Sequence, residues 1–244
     1  MIVYCRTTKD TARLLAEDLG MPCYNPHGET NGGKSKYVIR WGTGGGLGYI
    51  PETVLNKMAA VKKAVNKLGS IKLFNTAGVR TATLFKEGFT TTPCVGRSIE
   101  HTQGQNFWLC WAPDQIHTAK LEGAEYFIDY IPIKQEYRVH VMDGKVVFCQ
   151  RKYPKDRVSS AFMGIQGFSN GWHRHAFDGA VSKDIKDTAR DAVAALGLDF
   201  GGVDVLISQT DNLAYVAEVN TGPALPTEEV RKFYTNYFTK KLGL

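Results

Sequence analysis

Residues 202–223 read GVDVLISQTDNLAYVAEVNTGP. Two runs rich in β-branched residues flank Thr210-Asp211-Asn212, a turn composition, so the segment reads as a hairpin. A five-residue turn from Gln209 to Leu213 sets Ser208 opposite Ala214, Leu206 opposite Val216 and Asp204 opposite Glu218. Directly opposed residues share a sheet face, and like charges so placed destabilise the pair. Asn220, two residues past Glu218, points the same way. A hard divalent cation would offset the repulsion, because Mg²⁺ takes oxygen ligands and combines a few carboxylates with phosphates. A two-residue turn at Asp211-Asn212 would instead put Asp204 opposite Val219 and turn Glu218 to the other face. In that case the hairpin carries two solvent-facing acids and no site.

A second hairpin lies upstream. EYRVHVM and KVVFCQRK flank Asp143-Gly144, the favoured two-residue turn. That turn sets Val139 opposite Phe148 and Val141 opposite Val146. Glu136, Arg138 and His140 then share the other face with Cys149 and Arg151. Arg138 is either a functional cation or a neighbour of a Glu136–Arg151 pair on a solvated face.

Helical periodicity appears over Pro51–Leu68, with Val54, Met58, Val61, Val65 and Leu68 on one stripe. Pro51 suits the first turn and Gly69 the position past the end. A short helix is expected near Ser70–Ala77, and further helices over Thr8–Leu19, over Lys183–Leu196 before Gly197, and at the C-terminus. In the C-terminal helix Val230, Phe233, Tyr234, Tyr237 and Phe238 form the stripe. IVYC, YVIRWG, PCVGR, NFWLCWA and EYFIDYI read as strands. His173 and His175 in SNGWHRH read as loop histidines, because two histidines without further partners are weak metal ligands.

At 244 residues the chain makes one large domain or a few small lobes. Hydrophobic residues at 43% and charged residues at 22% exclude a disordered chain. The net charge of +6 suits an anionic ligand but does not point to nucleic acid. No apolar run reaches membrane-spanning length, and no basic segment followed by an apolar stretch opens the chain, so neither a membrane partner nor a signal peptide is expected. The 5 cysteines are widely spaced with no CxxC, so disulfides and zinc are not expected and a cytoplasmic location is.

Residues 28–35, GETNGGKS, satisfy the phosphate-loop pattern with Lys34 as its cation. That motif needs a helix after it, and YVIRW follows as a strand, so an exposed loop is the expected reading. The glycines of GTGGGLG at 42–48 do not match the dinucleotide fingerprint and read as a loop or tight connection.

GVDVL followed by EVNTGPAL resembles the C-terminal signature of the ATP-grasp superfamily. It is most similar to the carboxylate–amine ligase branch that includes the ribosomal-protein glutamate ligase and tubulin–tyrosine-ligase-like enzymes. The resemblance covers roughly residues 50–244. It implies that Asp204, Glu218 and Asn220 hold Mg²⁺, two ions in the family, with ATP. The family usually has Pro-Gly after the Asn, whereas this chain has Gly222-Pro223-Ala224. VNKLGSIKLFNTAGV resembles the segment whose Lys reaches the phosphates, which places Lys67 in that role. Without the resemblance Lys67 is a lysine near a helix end. PCVGRSIEHTQGQN occupies the place of the second cation, with Arg97 where Lys is usual. His101, Gln103 and Gly104 would belong to the flap over the phosphates. EYFIDYIP would be the interlobe hinge, with Ile128 and Ile131 reading adenine and Asp129 beside them. Arg138 resembles the family's substrate or phosphate arginine.

The resemblance implies an α+β fold in which two lobes with antiparallel sheets clasp ATP, preceded by a short α/β lobe. The expected divisions are 1–50, 51–132 and 133–244, the last carrying the metal site. The implied activity joins a small-molecule or peptide carboxylate to an amine through an acylphosphate. The alternatives are an ATP-grasp kinase, a P-loop NTPase and an inactive ATP-binding module. Oligomeric state is not readable.

Overall fold

A computed structural model describes residues 2–5, 10–24, 34–86, 88–99, 106–154, 172–176 and 181–243. The chain opens with β1 (Ile2–Cys5), α1 (Asp10–Asp18), β2 (Cys23–Tyr24), β3 (Tyr37–Trp41) and β4 (Thr53–Leu55). These strands form a parallel sheet in the order β2-β1-β3-β4. Between β3 and β4 residues 42–52 contain neither helix nor strand, so the glycine cluster is a loop, as expected. Leu47 and Tyr49 fold back from it onto Val38. A strand directly after residue 36 also removes the helix that a phosphate loop at Lys34 would need; residues 28–33 of that motif lie outside the described residues.

The helix expected over Pro51–Leu68 does not exist as one unit. Thr53–Leu55 instead joins the sheet edge as β4, where β-branched residues pack well. Helix α2 runs Met58–Val65 and α3 runs Lys67–Thr76. Asn66 separates them in an extended conformation, and its side chain accepts a 2.8 Å bond from the Gly69 N–H. Gly69 is therefore in the first turn of α3, not past the end of α2. This is an N-cap. The expected stripe is not the buried face either: Met58 is 40% and Val65 61% exposed, and α2 buries Ala60, Val61 and Ala64 instead.

The next lobe holds β5 (Cys94–Arg97), β6 (Phe107–Cys110), α4 (Pro113–Leu121) and β7 (Tyr126–Asp129). The strands are antiparallel in the order β6-β5-β7. Helix α4 had not been expected, although its signals are legible: Pro113 at the start, Asp114 in the first turn and the Gln115 side chain accepting from the Trp111 and Ala112 N–H groups.

The largest sheet follows. It contains β8 (Ile133–Met142), β9 (Lys145–Pro154), β10 (Trp172–Ala176), β11 (Phe200–Ser208) and β12 (Ala214–Asn220), in the antiparallel order β10-β9-β8-β11-β12. Helix α5 (Lys183–Leu196) precedes β11, and α6 (Glu228–Leu242) ends the chain. The expected loop at SNGWHRH is thus partly strand, since 172–176 pair with 150–154. No helix among the described residues is long and apolar enough to cross a membrane.

The two faces of this sheet differ. Tyr137, Val139, Val141, Cys149, Val203, Val205 and Ile207 form one core with α5, with Ala60, Val61 and Ala64 of α2, and with Phe74 of α3. At one end of the opposite face, Met142 and Phe200 pack with Trp41, α1 and α6. Tyr234 and Phe238 of α6 are wholly buried there, while Phe233 is 38% exposed.

Asn56 fastens the parallel sheet to the start of β11. Its amide donates to the Phe200 carbonyl at 3.0 Å and accepts from the Asp199 and Phe200 N–H groups at 2.9 and 3.2 Å. Asn56 is fully buried and holds φ at 57°. Alanine there would strip partners from buried backbone groups and oppose the left-handed backbone. We expect Asn56→Ala to cost about 3 kcal/mol in urea denaturation. Asn56→Gly, which relieves only the backbone, should recover a minor part.

Candidate functional site

Register brings the charged residues together. In β11 and β12, Asp204 lies opposite Glu218 and Gly202 opposite Asn220. The acidic pair and Asn220 therefore share a face, as the hairpin reading expected. The turn differs, however. Val205 pairs with Val216, Leu206 with Tyr215 and Ile207 with Ala214, so Ser208 does not face Ala214. Ala217 is an extra residue, a β-bulge that offsets a turn one residue longer than expected.

A second bulge corrects the β8–β9 hairpin. Val141 faces Val146 as expected, but His140 faces Phe148 and Val139 faces Cys149. Val147 is the extra residue. Beyond it every β9 side chain changes face. Glu136 therefore pairs with Lys152 and not with Arg151, and Arg138 faces Gln150. Cys149 joins the apolar core. The Glu136 face is buried, not solvated: Glu136, Arg138, Gln150, Lys152 and Asp204 all expose 5% or less.

Asp204 is the centre of this cluster. Arg138 forks onto it from β8, Nε to one oxygen and Nη2 to the other at 2.8 Å. Lys152 Nζ lies 3.3 Å from the same Oδ2 and also bonds Glu136. Burial acts to lower the Arg138 pKa, but the adjacent Asp204 carboxylate, with Glu218 and Tyr234 beyond it, more than offsets this, so the net shift is upward. Below Arg138, His140 Nδ1 and the Tyr234 hydroxyl are 2.9 Å apart.

The rim is more open. The Glu218 side chain is 37% exposed. Its Oε1 accepts from Asn220 Nδ2 at 2.9 Å, and Lys67 Nζ stands 3.4 Å from its Oε2. Lys67 is the first residue of α3, not a C-terminal helix lysine, and the Asn66 break turns it toward β12. Arg97, at the end of β5, approaches from the smaller lobe. Its Nε is buried with no hydrogen-bond partner among the described residues, and its guanidinium lies over the Phe107 ring at 5.4 Å. Burial lowers the Arg97 pKa, opposed by Tyr126 and by the field of Glu218. An arginine so placed suits an anion.

The hinge residues lie at the end of β7 and in the connection to β8. Ile128 lies between Val95 on β5 and Leu84. Asp129 accepts from the Thr83 N–H, and burial raises its carboxyl while that bond lowers it. Ile131 is half-buried in the connection to β8. Tyr130 stacks edge-on with Trp111 at 5.2 Å beside it. His101, Gln103 and Gly104 lie outside the described residues, as do the side chains of His173 and His175.

Lys152 is the site residue that the sequence reading missed. Alternation from the Asp143-Gly144 turn pointed to Arg151, and only the Val147 bulge brings its neighbour onto the face. By type the set Asp204, Glu218 and Asn220 fits a hard divalent cation, since all three offer oxygen. Each of the four carboxylate oxygens already has a protein partner, so a cation bound there competes with Arg138, Lys152 and Lys67 for the same oxygens.

Two glycines permit close approach at the site. A Cβ on Gly222 would stand 2.6 Å from the Gly42 nitrogen, where the Gly42 N–H also donates to the Thr221 carbonyl at 3.3 Å. A Cβ on Gly202 would stand 2.7 Å from Pro223 Cβ and 3.1 Å from Arg138 Cδ.

No sequence family matches the chain, and no curated protein resembles it in sequence. Solved structures do resemble it in fold. D-cycloserine synthetase DcsG superposes with a TM-score of 0.69 at 14% identity, over 99% of this chain and 100% of that one. The ATP-grasp ligase PsnB, complexed with a phosphomimetic variant of its minimal precursor, Mg and ADP, gives 0.67 at 13%, over 98% of both chains. D-alanine–D-alanine ligase from Bacillus anthracis gives 0.67 at 14%, over 99% of this chain and 94% of that one. The shared architecture is the ATP-grasp fold, and this chain has it.

Gly202→Ala should displace Pro223 or the Arg138 stem. We expect a loss of about 1–3 kcal/mol in urea denaturation. An unchanged midpoint would mean that both neighbours yield freely.

Proposed function

We propose that this protein is an ATP-dependent carboxylate–amine ligase that makes an amide or peptide-like bond. The observation that carries the reading is the convergence, within an ATP-grasp fold, of Asp204, Glu218 and Asn220 with Lys67, Arg97, Lys152 and Arg138. Phosphoryl-transfer sites work mainly by positioning and charge neutralisation, and this is a site of charges on a stiff sheet.

The substrate carboxylate attacks the γ-phosphorus of ATP, the bond to the β,γ-bridging oxygen breaks and ADP departs. The amine then attacks the acyl carbon, phosphate leaves with the C–O bonding pair, and the amine loses a proton. Lys67 and Arg97 grip the phosphates from two lobes. Arg138 offers a planar fork to the group in transfer. Asp204, Glu218 and Asn220 are the residues that would hold Mg²⁺, two ions by family resemblance, whose charge neutralises phosphate oxygens. Ile128, Ile131 and Asp129 line the connection against which adenine would pack; Gln103, assigned to the phosphate flap by resemblance alone, lies outside the described residues. Two of the similar structures carry ADP and Mg together with a minimal precursor or its phosphomimetic variant, which supports a peptide or small-molecule carboxylate as substrate.

The test is a screen of amino acids and short peptides with ATP and Mg²⁺ for substrate-dependent phosphate release, followed by mass spectrometry. Condensed product loses one water relative to its two substrates; a phosphorylated product without condensation would replace the ligase reading with a kinase. Glu218→Gln should lower ATP turnover by roughly 10²-fold or more with an unchanged circular dichroism spectrum. Lys34→Ala should leave turnover unchanged. The opposite pattern would move the reaction to the loop at residues 28–35.

A further inference from the structure

We propose that this site exchanges partners: Lys67, Lys152 and Arg138 occupy the carboxylates until nucleotide phosphates draw them off, so divalent cation and nucleotide load together. The proposal rests on the ligase reading and concerns how that site fills. Its basis is that every oxygen of the two carboxylates already faces a protein donor. Both Asp204 oxygens are taken by the Arg138 fork, and Oδ2 also by Lys152 at 3.3 Å. Glu218 Oε1 takes the Asn220 amide, and Oε2 faces Lys67 at 3.4 Å.

A cation arriving alone is repelled by Arg138, Lys152 and Lys67 on these carboxylates, and displacing Arg138 or Lys67 leaves that charge without the counterion it has here. For Arg138 on Asp204 this would happen with side chains at most 6% exposed, where an unpaired charge is strongly disfavoured. An anion arriving alone meets the same obstacle from the other side, because it leaves the carboxylates unpaired. When both arrive, each released charge finds a new partner. Lys67 moves from Glu218 to phosphate, and Glu218 turns to the metal. Lys152 retains Glu136 throughout, so it can slacken its hold on Asp204 without losing its counterion. Lys152 is thus a positioning residue, and Glu136 is the anchor that keeps it in place.

The test uses Mn²⁺ as the probe, followed by electron paramagnetic resonance on the nucleotide-free protein. Wild type should bind Mn²⁺ weakly without ADP. Lys67→Met, at the half-open rim, frees Glu218 and should tighten this metal-only binding by roughly tenfold. The double variant Glu136→Gln/Lys152→Met removes one charge of each sign from the interior and should tighten it similarly. Lys72→Met removes a charge from the same helix as Lys67 without touching either carboxylate and should change nothing. In the reciprocal arm, Glu218→Gln should tighten ADP binding in the presence of chelator.

Metal-only affinity that stays at the wild-type value in Lys67→Met would overturn the exchange. So would equal tightening in Lys72→Met, which would reduce the effect to general charge. If the double variant does not fold, Lys67→Met decides alone. Failure of wild type to bind ADP even with Mn²⁺ would sink the ligase reading itself. Normal ADP binding with unaltered variants would sink only the exchange.

Discussion

The pairing of Asp204 with Arg138 and Lys152, across three neighbouring strands, is the constraint from which the rest of the site follows. An isolated charge at this depth would be strongly disfavoured, and removing one member of a buried pair typically costs about 3–5 kcal/mol. Glu136, Lys152, Asp204 and Arg138 carry two charges of each sign and are nearly inaccessible. Each is held by another, so none turns away unless a new partner replaces the one it leaves. Hydrophobic residues of similar volume would stabilise the sheet at least as well. The charges therefore mark a place where electrostatics, not packing, sets the composition.

Two bulges make the cluster. Strict alternation would put Lys152 into the apolar core with α5 and leave Arg151 facing Glu136. The extra residue at Val147 reverses this, sending Cys149 to the apolar core and Lys152 to the buried Glu136 face. Ala217 acts likewise on β12, restoring Glu218 to the Asp204 face after a longer turn. Bulges re-aim side chains where a site must be built on an otherwise regular sheet. Both lie on strands flanking the central β8–β11 pair, which stays in register from Phe200–Met142 to Ile207–Gln135.

What was legible in the sequence follows from this. The hairpins, α5 with its Gly197 cap, and the apolar stripe of α6 could be read because period and turn chemistry agree there. Asp204 opposite Glu218 was reached from a turn one residue too short, and the unseen bulge cancelled the error. No such cancellation occurred at Lys152, because the Asp143-Gly144 turn was right and the bulge stood alone. The helix expected over Pro51–Leu68 failed for another reason. Thr53–Leu55 gains more from a sheet edge than from a helical turn, and Asn66 caps a new helix. The break also misaligns the expected stripe, so that Met58 and Val65 are exposed while Ala60, Val61 and Ala64 pack inward. Lys67 was named through resemblance, and its place at the start of α3 shows why: the break turns a surface lysine toward Glu218.

The charges are divided unequally between two bodies. Asp204, Glu218, Arg138 and Lys152 stand on the large sheet, and Lys67 stands on a helix packed against its far side. That sheet is fastened to the parallel sheet by Asn56, by the Gly42–Thr221 bond and by the aromatic cluster around Tyr234. Arg97 alone comes from the three-stranded sheet. Residues 80–84 run between the two bodies, bridging Val216 at one end and Ile128 at the other. The Gln209 N–H meets the Pro132 carbonyl where the chain returns. Any rotation about these connections changes the distance from Arg97 to Glu218 while leaving the distance from Arg138 to Asp204 fixed. A polyphosphate spanning both bodies would convert that freedom into a closed geometry, because one end would meet charges carried on the large sheet and its helices and the other an arginine carried on the smaller sheet. Under the proposed function, the uneven division would separate two tasks, with preorganisation falling to the large sheet and, among the described residues, closure to Arg97.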